Sequence, residues 1–562
     1  MEKQRVSAWS PLGYKLFRAL WIAAVASNVG TWMHNVGAEW LMTSLAPTPL
    51  VVALMQTAEN APMFLLALPA GALADIVDRR RLLLLTQTWM LISAIALAVV
   101  ALLQLTTPIV LLLLTFALGL GAALNAPAWQ AIVPELVPRS ELPLAVSLNS
   151  VAFNIARAVG PALGGFVVAA LGSWAVFMLN SVSFIGVIVV IQRWQREPVE
   201  SISPTERVVG AMRAGLRYVR HAPELRGVLV RTVVFASCAS ALWAMLPLVA
   251  RRDLGLGAVG YGVLLGGLGA GAIVGAVVLP KARASLSVNL LVILGTLLFA
   301  ISTATLAEVR IFGLLFVAML FGGLAWMTTM SSFNIGVQTV VPEWVRARAL
   351  AIYLLSFFGS LAVGSAIWGA IAERFGIPLA LLCAAAALVV GLSAALFFPL
   401  RISERLDLSP SLHWSEPTVV SEPLPEQGPV LVIVEYHIEP ERTDEFLLAM
   451  KDVERVLRRD GATRWGLFAD PAQPGRYMET FLVESWAEHM RQHARVTIED
   501  RAVNERARSF HLGDAPPEVT HLIAEDFSHL KKRSLLSYVR QASRERGATE
   551  LSTSHDQEAY RQ

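Results

Sequence analysis

The sequence predicts an all-α membrane protein of twelve transmembrane helices in two six-helix halves, followed by a small α+β soluble domain. Three observations predict it. The chain has 562 residues, is 55% hydrophobic and has a mean hydropathy of +0.56, where soluble domains are roughly 45–50% apolar. The apolar excess is confined to the first 400 residues; the remainder is charged. Lys and Arg crowd onto alternate loops with a bias of about fivefold, which places both termini in the cytoplasm and requires an even number of spans.

Taken in order, the apolar runs are 16–44, 50–75, 82–106, 108–133, 142–171, 174–192, 227–250, 257–280, 287–307, 311–338, 347–373 and 377–400. Each can cross roughly 30 Å of hydrocarbon at 1.5 Å per residue. The first is too long for a cleaved signal peptide. The side rich in positive charge holds Lys3, Arg5, Lys15, Arg18, Arg79–Arg81, Arg139, the 193–226 connection, Lys281, Arg283, Arg346, Arg348, Arg401 and Arg405. The other side holds only Arg251, Arg252, Arg310 and Arg374.

The 193–226 connection is the longest in this region, basic and interrupted by proline, and it divides a half at 1–192 from a half at 227–405. A weak echo links them: Gln130-x-x-Val133-Pro134-Glu135 returns as Gln338-x-x-Val341-Pro342-Glu343, each at the end of the fourth span of its half. Repeated halves around a central site are the architecture of alternating-access transporters. A formal charge of +3 supplies no broad basic surface, so nucleic acid is not an expected partner. Cys238 and Cys383 lie in apolar runs as small packing residues and make neither a disulfide framework nor a metal site. No cofactor is expected.

Polar residues recur at helical spacing inside four spans. Span one carries Asn28, Thr31, Asn35 and Glu39; span two Gln56, Glu59, Asn60 and Met63; span five Ser147, Ser150, Asn154 and Arg157; span ten Thr328, Ser331, Asn334 and Gln338. Such stripes are better accommodated by a wet central cavity than by lipid. Asn28, Asn35, Gln56, Asn154, Arg157, Asn334 and Gln338 are therefore candidates to line a substrate path. Glu39 and Glu59 are the acidic side chains placed well inside spans, and either can carry a coupling proton. Either can instead be a fixed partner of Arg157, and Glu39, near the outer end of its span, can be simply interfacial. Glu59, the deeper of the two, is the preferred proton carrier. Trp32, Trp40, Trp129 and Trp243 suit an aromatic substrate, although tryptophan at span ends is ordinary. His34 reads as a satisfied packing histidine.

Two further runs concern movement. In Ala156-Arg157-Ala158-Val159-Gly160-Pro161-Ala162-Leu163-Gly164-Gly165, Pro161 has no N–H to donate. The glycines there strip a helix face to backbone, so that a neighbour can approach closely. Its Gly160-Pro161-x-x-Gly164-Gly165 core resembles the antiporter motif of major facilitator exporters. Gly71-Ala72-Leu73-Ala74-Asp75-Ile76-Val77-Asp78-Arg79-Arg80-Arg81 resembles the major facilitator loop motif between spans two and three. Gly71 would permit tight helix contact, Asp75 would cap a facing helix N-terminus, and the Arg79, Arg80 and Arg81 cluster would hold the hairpin at the surface. Ile76 and Asp78 depart from the pattern, and the matching loop near Gly275, Lys281 and Arg283 lacks an acidic residue. The resemblance covers residues 10–405. The Asn125-Ala126-Pro127-Ala128 turn and the Val133-Pro134-Glu135 corner bring it nearest to the enterobactin-exporter-like branch. It implies proton-driven export of a small molecule such as a siderophore, drug or amphipathic metabolite across the bacterial cytoplasmic membrane.

Residues 406–429 read as a Pro/Ser/Glu-rich linker. Beyond it, 430–436 reads as a strand, 441–459 as an amphipathic helix, 463–468 and 476–484 as paired strands, 486–508 as helix in two pieces and 518–527 as a closing strand. This β-α-β-β-α-β order is a ferredoxin-like unit over 430–535, and it resembles the antibiotic-biosynthesis-monooxygenase-like domains, which implies a possible homodimer. Ser485-Trp486-x-Glu488-His489-x-x-Gln492-His493 is the stretch in which a catalytic or ligand-binding side chain could hide; dimerisation, regulation or substrate capture is the simpler expectation. The 536–562 tail is charged. The leading function is thus a secondary transporter and not an enzyme. The alternatives are a transporter fused to a cargo-modifying enzyme, or a non-transporting sensor built on the same fold.

Overall fold

A computed structural model describes residues 7–194 except 8 and 47, 208–400, and 407–525 except 412, 415, 416, 418, 420 and 514; the charged tail at 536–562 lies outside the described residues. The chain forms two compact units, 1–406 and 407–562.

The first unit is a helical bundle. Its helices are α1 (Lys15–Leu45), α2 (Pro49–Ile76), α3 (Arg79–Leu102), α4 (Pro108–Leu136), α5 (Leu142–Leu171), α6 (Ser173–Arg193), α7 (Val208–His221), α8 (Pro223–Leu248), α9 (Ala258–Ser285), α10 (Val288–Glu308), α11 (Phe312–Thr339), α12 (Glu343–Phe375), α13 (Ile377–Gly391) and the one-turn α14 (Ala394–Phe397). Among the described residues, eleven helices are long and apolar enough to cross a membrane. Helix α1 makes the twelfth long helix at 31 residues, its apolar character diluted by the polar stripe it carries. Proline at the first turn of α2, α4, α5, α8 and α13 starts these helices where the missing N–H costs nothing. In the inter-half connection α7 packs on α12, with Gly215 against Arg348 and Ile352.

The loop motif is partly as expected. Asp78, the residue that departs from the pattern, is the N-cap of α3 and accepts a hydrogen bond from the Arg81 N–H at 2.9 Å. Such a cap stabilises a helix by about 1 kcal/mol. Arg79 pairs with Glu135 at 2.8 Å, and Arg80 donates to the terminal carbonyls of Ile191 and Gln192 on α6. Among the described residues the tight contact expected at Gly71 is not made: none of them outside its own helix backbone has an atom within 4 Å of where a Cβ would stand. The side chain of Asp75 lies outside the described residues. The sequence echo does not extend to local structure. Pro134-Glu135 sits in the last turn of α4, whereas Pro342 is the N-cap of α12.

The two halves meet along α5 with α9 and along α2 with α12. The glycine run of α5 explains the first contact. A Cβ at Gly160 would stand 2.6 Å from the Trp32 Cβ, and one at Gly164 2.8 Å from the Met33 Cα, both on α1. On its other side, a Cβ at Gly165 would stand 2.5 Å from the Ala258 carbonyl oxygen of α9. One helix therefore packs backbone to backbone on both its own half and the other half. The end of the bundle away from the N-terminus is further fastened. Arg251 donates to Thr43 Oγ1 at 3.1 Å and lies over the Trp40 ring at 5.0 Å. Thr57 donates to the Ala362 carbonyl at 2.8 Å. At the opposite end Ser147, Ser150 and Gln338 are exposed. Ser150 and Gln338 bond within their own helices, to the Val146 carbonyl and to Asn334.

The second unit is an antiparallel sheet in the order β2-β3-β1-β4, built from β1 (Val430–His437), β2 (Arg464–Ala469), β3 (Arg476–Val483) and β4 (Glu518–Ile523). Helices α15 (Thr443–Asp460), α16 (Trp486–Arg495) and α17 (Ile498–Arg508) complete the unit. This is the ferredoxin-like order. Helix α15 buries Phe446, Ala449, Met450, Val453, Val456 and Leu457, the three-and-four spacing of an amphipathic helix. These residues, Val456 aside, meet Val430, Val432, Phe481 and Val483 in one core. The segment read as a linker is seated on this unit: the Ser411 N–H donates to the Val496 carbonyl at 2.9 Å, and Trp414 packs against the core.

Candidate functional site

The first unit encloses a cavity of about 620 Å³ among α1, α2, α5, α8, α9, α11 and α12. Of the residues proposed from the sequence, Asn35, Glu39, Gln56, Glu59, Arg157 and Asn334 line it, together with Asn60 and Ser331. Asn28, Asn154 and Gln338 do not. Asn28 is half-buried outside it, Asn154 donates to the Ser150 carbonyl of its own helix at 2.8 Å, and Gln338 is exposed. Thr328 is buried against α10, where its methyl lies 3.8 Å from the Cβ position of Gly295. Helical spacing identifies a face, but the width of the cavity decides how far along that face water and ligand reach.

The acidic pair is organised asymmetrically. Glu39 is buried within the bundle. It accepts from Gln56 Nε2 at 2.6 Å and from the Tyr261 hydroxyl of the other half. The Gln56 side chain is held in turn by Asn60, whose amide donates to Gln56 Oε1 at 3.3 Å. Glu59 has a buried oxygen with no hydrogen-bond donor among the described residues. Neither carboxylate pairs with Arg157, so the fixed-partner alternative is not realised among the described residues. Arg157 instead lies between two indoles, 5.9 Å from the Trp32 ring and 5.6 Å from the Trp243 ring.

Trp32 and Trp243 thus line the cavity as anticipated. Trp40 stacks on Tyr261 at 5.9 Å, and Trp129 belongs to a separate packing cluster. His34 packs on Phe177 at 4.6 Å as a core residue, but neither ring nitrogen has a partner among the described residues. The sequence reading missed Tyr261, Trp326, Met330, Tyr353 and Phe357. A signal for part of this existed: Trp326, Met330 and Asn334 are spaced by four and extend the polar stripe of α11 with large side chains. For Tyr261 there was none, because its partner is 222 residues away.

A family model described as transmembrane secretion effector matches residues 6–529. The chain belongs to that family. The match runs through the described part of the second unit, which ends at residue 525. Among curated relatives, the staphyloferrin A transporter of Staphylococcus aureus (strain NCTC 8325 / PS 47) is 23% identical over 62% of this chain and 87% of its own length. The enterobactin exporter EntS of Escherichia coli O1:K1 / APEC is 26% identical over 63% and 84%. Among solved structures, the nucleoside transporter NupG superposes with a TM-score of 0.56 at 13% identity, covering 68% of this chain and 98% of that one. A bacterial homologue of the human lysosomal transporter Spinster superposes at 0.55 and 14%, covering 69% and 97%. The fold of the first unit is that of the major facilitator superfamily, and this family member is a multi-pass membrane transporter.

In the C-terminal domain, the stretch singled out from the sequence is mostly structural. Ser485 caps α16, accepting from the Glu488 N–H at 3.3 Å, and Glu488 pairs with Arg491 and Arg495 at 2.9 and 2.6 Å. His489 is buried beside His493 and His521, each with a ring centroid 4.9 Å away, and Trp414 lies 5.1 Å from His493. Among the described residues no cluster could hold a metal ion. Burial, then the neighbouring histidines, pushes His489 down to about 4 from an ordinary 6.5. The neutral ring is the form the fold accepts, so its contribution is complete above pH 6.5 and is lost as pH falls towards 4. That shift corresponds to about 3 kcal/mol. A 407–530 fragment is expected to lose at least about that much stability between pH 7 and pH 4, read as a lower urea midpoint, because His493 is pushed down to about 4 as well, and His489→Phe should make the dependence shallower without abolishing it. An unchanged midpoint in the wild type would contradict this account.

Proposed function

We propose that this transporter exports a small amphipathic molecule by alternating access, exchanging it for protons, from the cytoplasm across the bacterial cytoplasmic membrane. The observation that carries the reading is the cavity itself. It lies between two halves fastened at one end, and it holds a carboxyl with a buried oxygen that no described donor reaches, beside a carboxyl that bridges the halves. With both termini cytoplasmic, the fastened end is external and the conformer is inward-facing. The exposed polar residues on α5 and α11 and the open space at Gly71 support that assignment. Glu59 is the proton carrier; Glu39, through Tyr261, links proton state to the closure of the external end. Siderophores are the first substrates to try, because curated relatives are named for staphyloferrin A and enterobactin. The C-terminal domain serves as an accessory dimerisation module: Phe468 and Leu522, on the sheet face away from the core, are 60% and 49% exposed. Everted vesicles with an inside-acid gradient test the function. Siderophores, dyes and antibiotics added outside should draw protons out of the lumen. A full panel with no proton movement, from protein shown to be inserted and folded, would refute the antiport reading.

A further inference from the structure

Arg157 is a permanent cation, 9% exposed, in a cavity wall. Among the described residues its Nε is buried with no hydrogen-bond partner, and no carboxylate oxygen lies within the 4.0 Å ion-pair distance. A cation in such a place is costly unless something completes its shell. The two indoles act on it through their ring faces, and this leaves guanidinium donors unused. The wall also carries Phe153, Trp326, Phe357 and Met330, alongside the uncharged polar Asn35, Ser331 and Asn334. The acidic end, Glu39 and Glu59, is occupied by its own donors or reserved for a proton.

We infer that the transported molecule is an aromatic organic anion, bound with its negatively charged oxygen group on the free edge of Arg157 and its ring against Trp32, Trp243 and Trp326. This rests on the cavity being the transport site. A carboxylate or phenolate oxygen pair matches the planar donor fork of a guanidinium, while the indoles exclude water from the pair. A neutral analogue of the same shape would leave the cation unpaired, and a cationic one would meet it with like charge. Arg157 is thereby the residue that selects anions.

The test is equilibrium binding to the detergent-solubilised full chain, with 2-naphthoate, 2-naphthamide and 2-naphthylmethylammonium as probes of matched ring and differing charge. Wild type is expected to prefer naphthoate over naphthamide by about tenfold or more, as charge-assisted hydrogen bonds require. Arg157→Gln should erase the preference while retaining the weak ring-dependent binding. Arg157→Lys should restore part of it, a result that loss of packing alone would not produce. Equal binding of all three, preference for the cation, or no binding of any overturns the inference. Proton movement in vesicles without an anion preference would leave the antiport reading standing and this one fallen; an anion preference without proton movement would do the reverse.

Discussion

Glu59→Gln is expected to reduce ligand-driven proton release in everted vesicles to the leak level while ligand binding persists. The argument is one of unmet chemistry. Glu59 has a buried oxygen that no described donor reaches, whereas Glu39 accepts from Gln56 and Tyr261. A carboxylate without donors or a cation is expensive to keep charged out of water, so on the proposed function this is the group expected to change charge as the cavity fills and empties. Gln preserves size and polarity but has no proton to exchange. Glu39→Gln, in contrast, should weaken the link between the halves and slow transport in both coupled and uncoupled modes. Proton release that survives in Glu59→Gln and vanishes in Glu39→Gln would reverse the assignment.

The second large effect concerns the seam between α5 and α9. In Gly262→Val a Cβ would stand 2.4 Å from the Pro161 carbonyl oxygen and 3.1 Å from the Gly165 Cα. Both neighbours are backbone, so no side chain can rotate away and the helices must separate. Overpacking of this kind costs about 1–3 kcal/mol. A penalty of about 2 kcal/mol on the conformer closed at this end shifts its population by about thirtyfold. Leu265 lines the cavity and is 5% exposed. In a Cys238→Ser, Cys383→Ser background, Leu265→Cys should react at least about tenfold faster with an impermeant maleimide supplied from the fastened end once Gly262→Val is added. An unchanged rate, with the protein still folded, would show that the seam does not set the conformer.

How much of this was legible beforehand depends on the range of the interaction. The ferredoxin-like element order was readable because strand alternation and the Phe446–Leu457 spacing are local. So was the role of the Gly160–Gly165 run as a close-packing face, since removing side chains has a direct consequence for helix approach. Reading 406–429 as a linker did not reveal that Ser411 and Trp414 find partners at Val496 and the domain core, because Pro and Ser content reports backbone preference and not tertiary contact. The Gly71 contact was expected from a motif and is missing for a different reason. A motif reports residue type, and not which neighbour packs against it.

By itself, then, the sequence determined the class: periodic apolar runs, charge bias and glycine placement act over a few turns of helix, and they suffice for spans, halves and a soluble domain. Only the tertiary structure decided the site. Whether Glu39 or Glu59 has donors, whether Arg157 finds a carboxylate, and which stripe residues reach the cavity are matters of a few ångströms between helices that are remote in the chain. Tyr261 and Glu39 meet across 222 residues, and no local pattern encodes that meeting; it follows from how two halves pack against each other.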